Sequence, residues 1–181
     1  MTLITIGEII SLIVVTLIIG YIFSGYIRRP GIYRKGLSFE DIKFAILISA
    51  PAVILHELAH KFVAMAFGLS AKFYMFTFGL ILGLILRFFH SPFIILAPGY
   101  VGLSGGTPGQ LAIIAFAGPL VNILLFFISS LLLKKRHLKR KQLATLHYTK
   151  IINMWLFIFN MLPIPPLDGS KVFPYLFQAI F

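Results

Sequence analysis

The fold class this sequence predicts is an all-α polytopic membrane protein. It has about four transmembrane helices and a membrane-associated β-like segment between the second and third. Three observations lead there. The chain has 181 residues, 59% of them hydrophobic and only 12% charged, with a mean hydropathy of +0.98; a soluble domain of that length has too little interior for so much apolar surface. Apolar stretches long enough to span a bilayer recur along it. The basic residues cluster just outside those stretches, as flanking charges of membrane spans do. That placement explains the net charge of +11 better than nucleic-acid binding, which is set aside. Cysteine is absent, so disulfides and thiolate metal sites are excluded.

The first span is expected at Leu3–Ile27. "MTLITIGEIISLIVVTLIIGYIF" carries no basic leader region and no small-residue cleavage site, so it reads as an uncleaved transmembrane helix. The loop "YIRRPGIYRKGLS" follows. Ser38 and Asp41 form a capping-box pattern opening the second span, Asp41–Phe67, with Glu40 and Asp41 at the positive end of its dipole. The third and fourth spans are expected at Gln110–Leu133 and Leu146–Leu162, separated by the solvated basic loop "KKRHLKRKQ". Between the second and third lies Ser70–Gly109, apolar but broken by seven glycines and three prolines. Its aromatic and aliphatic runs read as short strands shielded by the bundle; the competing reading is a fifth hydrophobic span around Gly79–Phe89. The whole is read as a single transmembrane domain over 1–181: an N-terminal span and basic loop at 1–37, a catalytic core at 38–170 and a short tail at 171–181.

"AVILHELAHKF", residues 52–62, places three ionisable side chains inside the second span, where such groups need partners or a task. His56-Glu57-Leu58-Ala59-His60 is H-E-x-x-H. On a helix, residues four apart share a face, so both imidazoles reach one ion, and Glu57 stands beside them as a base for water. A catalytic zinc needs a third protein ligand. The chain has five acidic residues. Glu57 has its task. Glu40 and Asp41 are explained by the helix start, and Glu8 reads as interfacial at the end of the first span. Asp168 remains, in a proline-broken segment where Gly169 permits a sharp turn; the plain alternative is an interfacial Asp-Gly turn. His90, His137 and His147 read as surface or interfacial histidines. Asn160 is a candidate donor to a developing oxyanion or to substrate backbone, or else an interhelical hydrogen-bonding residue.

Three segments in order resemble the site-2 protease family of intramembrane zinc metalloproteases: "HELAH" at 56–60, "AGPLVN" at 117–122 and "NMLPIPPLDG" at 160–169. The resemblance covers about residues 40–170. It implies one Zn2+ per chain held by His56, His60 and Asp168, with Glu57 as general base. It further implies a transmembrane protein as substrate, cut within the cell membrane among its lipids, and a membrane-associated β-structure, whose exposed strand edge is expected to capture the unwound substrate by strand addition. Gly118 and Pro119 would permit close helix approach, and Asn122 would pair across the bundle. No stretch of this sequence has room for a PDZ domain or a CBS pair, so the form expected is the compact one. The competing function class is a non-proteolytic metal-binding membrane protein or a transporter using the same cluster as an ion site.

Overall fold

The structure is a computed structural model that describes residues 3–31, 38–91 and 98–181. Its elements are α1 (Ile6–Phe23), α2 (Phe39–Ala66), β1 (Ser70–Met75), α3 (Thr77–Phe88), β2 (Gly99–Ser104), α4 (Pro108–Leu132), α5 (Arg140–Asn160) and α6 (Gly169–Ile180). α4 is the hub, packed against α2, α5 and α6, while α1 lies on another side of α2.

Local chemistry sets the helix starts. Thr5 caps α1 and Ser38 caps α2, each in a two-way capping box, with Glu8 and Asp41 respectively returning the bond. The Ser38–Asp41 box is the one expected from the pattern, and Asp41 also accepts from Arg29 Nε at 2.6 Å. Thr107 and Gln110 make a third box, with Pro108 in the first turn of α4, where its missing N–H is harmless. α1 is apolar on every side: Val15, Ile19 and Ile22 are buried, whereas Ile6, Ile13 and Leu17 are exposed. Apolar exposure along a whole helix face suits lipid rather than water. Gly20 of α1 sits so close to Ile46 of α2 that a Cβ there would lie 2.1 Å from Ile46 Cγ1.

α1, α2 and α4 are long and apolar enough to cross a membrane, in line with a multi-pass membrane protein. α5 differs from the expected fourth span. It begins at Arg140, inside the stretch expected to be a basic loop, and His147, Lys150 and Asn153 lower its hydropathy. Lys, Arg and Gln are good helix formers, so the helix extends back into them.

The Ser70–Gly109 segment is also more varied than expected. β1 and β2 pair antiparallel, with Phe73 opposite Val101 and Tyr74 opposite Tyr100. Between them, Thr77–Phe88 is a helix and not a strand. Gly79 and Gly83 are buried with Leu80, so these two glycines serve close packing rather than chain breaking. At twelve residues, α3 is about 18 Å long and too short to span. Residues 92–97 of this segment and 32–37 of the first loop lie outside the described residues. The expected short tail at 171–181 is largely helical, since α6 opens at Gly169 and runs to Ile180.

Glu8 is the clearest departure. Read as interfacial, it is only 2% exposed. It forms an ion pair with Lys61 of α2 and accepts from the Phe73 N–H of β1 at 2.8 Å. No local residue pattern marks that Lys61 turns toward α1.

The Gly20 contact yields a paired prediction. Gly20→Ala overpacks the α1–α2 contact and lowers stability by about 1–3 kcal/mol. Gly7→Ala, with nothing near its Cβ position, is neutral or stabilising by up to about 1 kcal/mol. Thermal melts of the detergent-solubilised variants check the contrast.

Candidate metal centre

His56 and His60 lie one turn apart on the buried face of α2, and Asp168 reaches them from the turn that precedes α6. His56 Nε2 and His60 Nε2 are 3.1 Å apart. Asp168 Oδ2 is 3.0 Å from the first and 3.3 Å from the second. Among the described residues, these three form the group of side chains able to hold a metal ion.

The hydrogen bonds around the rings fix their protons. His60 Nδ1 lies 2.7 Å from the carbonyl oxygen of Ile114, which can only accept. His56 Nδ1 lies 2.6 Å from Asn122 Oδ1. The Asn122 amide nitrogen donates to the Ala52 carbonyl at 3.0 Å and to Asn153 Oδ1 at 2.9 Å, so its oxygen must face His56. Each neutral imidazole therefore carries its single N–H at Nδ1 and presents a bare lone pair at Nε2. Asp168 Oδ2 is buried and has no hydrogen-bond donor. With both rings neutral and the carboxylate ionised, three acceptor atoms face one another. Such a cluster is repulsive until a cation enters it. Separations of 3.0–3.3 Å match the edge of a zinc tetrahedron with bonds of ~2.0 Å, about 3.3 Å. The residues fit a divalent metal with two imidazoles and one carboxylate.

α4 supplies the support from a single stripe. Ile114, Gly118 and Asn122 recur every four residues and so share a face. Ile114 holds one ring, Asn122 the other, and Gly118 makes room for both. A Cβ on Gly118 would lie 2.3 Å from His60 Nε2 and 2.6 Å from His56 Nε2. Gly169 is constrained in the same way, its Cβ position falling 2.5 Å from the carbonyl oxygens of Met161 and Leu162. Asn153 of α5 extends the support by accepting from Asn122 while donating to the Thr149 carbonyl at 2.8 Å.

A cavity of about 410 Å³ opens onto the centre. His56, Glu57, His60, Asn160 and Asp168, all singled out in the sequence, line it together. Glu57 is buried beside His56. His90, His137 and His147 are exposed and lie apart from this group. Five residues here had not been singled out in the sequence. The supporting amide of Asn153 and the carbonyl of Ile114 carry no motif of their own. Tyr100 of β2 also lines the cavity, as do Lys171 and Tyr175 of α6. The last two had a legible signal, since they follow Asp168 by three and seven residues and share its helical face.

Residues 133–181 match the model of peptidase family M50. That stretch contains α5, Asp168 and α6. The match is to the site-2 protease family. Whole-chain comparisons point the same way. A protein of Methanocaldococcus jannaschii, named as a candidate zinc metalloprotease, is 43% identical over 126 residues, covering 66% of this chain and 63% of that protein. A similarly named Bacillus subtilis protein is 29% identical over 150 residues, covering 65% of this chain and 62% of its own length. One from Synechocystis is 31% identical over 131 residues, covering 71% of this chain and 29% of its own length. The chain thus spans somewhat under two thirds of the first two relatives. No solved structure matches it significantly. The resemblance carried by the three motifs therefore has support from the family model and from these relatives.

Removing the Asn122 carbonyl oxygen tests the support of His56. Asn122→Ala is expected to weaken metal affinity by about 10–100-fold, whereas Asn122→Asp keeps an acceptor and retains more of it. Competition against a chromogenic chelator measures both.

Proposed function

We propose that this chain is a zinc metalloendopeptidase that cuts transmembrane segments of other membrane proteins within the lipid bilayer. One Zn2+ per chain is held by His56, His60 and Asp168, in a multi-pass protein of the cell membrane. The observation that carries the proposal is the cluster of two imidazole nitrogens and one carboxylate oxygen at 3.0–3.3 Å, buried among helices whose outer faces are apolar.

Zinc held by such ligands supplies a Lewis acid and lowers the pKa of water toward neutrality. The chain's own groups do the rest. Glu57, next to His56 and buried in the cavity wall, takes a proton from the attacking water and returns it to the leaving amine. Asn160 directs its amide toward the scissile carbonyl oxygen as charge develops there. Apolar walls, among them Val53 and Leu156, keep bulk water out and strengthen each of these interactions.

A helical substrate hides its peptide bonds in its own hydrogen bonds and must be extended to be cut. Gly99–Ser104 pairs on one side with β1, and Gly99, Tyr100, Val101 and Leu103 border the cavity. This strand is suited to receive an extended segment by strand addition. The Thr77–Phe88 stretch is helical and drops out of that role, which leaves β2 as the edge beside the centre.

Metal analysis paired with cleavage of a single-span substrate in liposomes tests the proposal. Wild type binds one zinc and cleaves. Glu57→Gln keeps the metal but loses about 10²–10⁴-fold in rate. Asp168→Ala and His56→Ala lose the metal itself. Equal cleavage by wild type and Glu57→Gln would remove Glu57 from its role and the mechanism with it.

A further inference from the structure

We infer that Glu8 of α1 is a positioning residue that fixes the gap between the cavity's strand wall and the metal-binding helix. The N-terminal span would then be part of the cleft rather than an added anchor. This inference rests on the proposal that the cavity receives an extended peptide.

Glu8 Oε1 meets two groups from different elements. One is the Lys61 ammonium, on the residue directly after His60 in α2. The other is the Phe73 N–H of β1, at 2.8 Å. Oε2 accepts from the Thr5 N–H at 2.8 Å and the Thr5 hydroxyl at 2.9 Å, which orients the carboxylate. Glu8 and Lys61 are each 2% exposed. A buried ion pair is a poor source of stability, because desolvating both charges offsets their attraction. Its usefulness here lies in geometry. The Phe73 amide is committed to Glu8, while Phe73 itself stands opposite Val101 of β2.

The Phe73 ring carries the constraint across the sheet. It packs on Gly99 so closely that a Cβ there would lie 2.3 Å from Phe73 Cε2. Gly99 and Val101 both border the cavity. One carboxylate oxygen therefore ties the helix bearing His60 to the strand whose partner forms the substrate wall. Loosening it lets β1 and β2 shift together relative to the ligands. The metal ligands keep their own supports from Ile114 and Asn122, so the shift moves the substrate's register and not the metal.

Two neutral double variants separate this role from a charge pair that merely holds the fold. E8Q/K61M removes both charges but keeps an acceptor for Phe73. E8L/K61M removes the charges and the acceptor. Full-length zinc-loaded protein is studied for both, with wild type alongside. E8Q/K61M is expected to keep the wild-type cleavage position and slow hydrogen exchange across 70–75 and 99–104. E8L/K61M is expected to bind the same amount of zinc and exchange faster across both strands. It should also cut at additional positions, with KM raised about tenfold and kcat within about twofold. Identical exchange in the two neutral variants overturns the inference. If wild type binds zinc but cleaves nothing, the proteolytic reading fails, and the exchange contrast still decides the role of Glu8.

Discussion

Two imidazole nitrogens and one carboxylate oxygen brought to within 3.3 Å of one another are the constraint around which this molecule is arranged. In water such a cluster would scatter. Under lipid it persists only when surrounding groups hold each donor atom in place and a cation balances the charge. The supports are economical. Ile114 and Asn122 use the Nδ1 protons of the two rings, and Gly118 between them gives up its side chain so that both rings fit against α4. The carboxylate arrives on a turn that Gly169 allows to pass within contact of two backbone carbonyls. Substituting any of these small or polar positions with an apolar residue would satisfy lipid better and the centre worse.

The rest of the fold serves access. Its outer faces are apolar, with Ile6, Leu17, Phe127 and Leu131 exposed, as expected of helices that meet lipid tails. The inner side of the sheet and the start of α6 instead bring Tyr100, Asn160, Lys171 and Tyr175 to one cavity. Glu57 thereby shares its cavity with side chains that carry hydrogen-bonding groups. Polar atoms are concentrated where an extended chain would otherwise leave its own N–H and C=O groups unpaired in hydrocarbon.

A second buried charge cluster, Glu8 with Lys61, lies on the far side of the same helix. Two ionisable groups on α1 and α2 are thus satisfied internally, by each other and by the Phe73 amide. His56 and His60 face α4, Lys61 faces α1, and α2 transmits the position of each side to the other because a helix is stiff over one turn. The N-terminal span, the sheet and the metal ligands consequently form one connected body.

What the sequence by itself determined was the set of local facts. Hydropathy marks the apolar helices, since the cost of polar groups in lipid is paid residue by residue. The capping box at Ser38 and the i, i+4 histidines follow from helical spacing. Asp168 stood out because acidic residues are scarce and the others had local explanations. The middle segment was less legible. Gly79 and Gly83 read as breakers but allow a helix to pack closely, a choice that depends on what lies opposite. Only tertiary structure decided that Glu8 meets Lys61, that Asn153 braces Asn122, and that Ile114 orients His60. Each of these joins residues more than thirty apart in the chain or uses a backbone carbonyl, which every residue type possesses. Pairings of that kind are fixed by which helix faces meet in space, and no local pattern of residues encodes them.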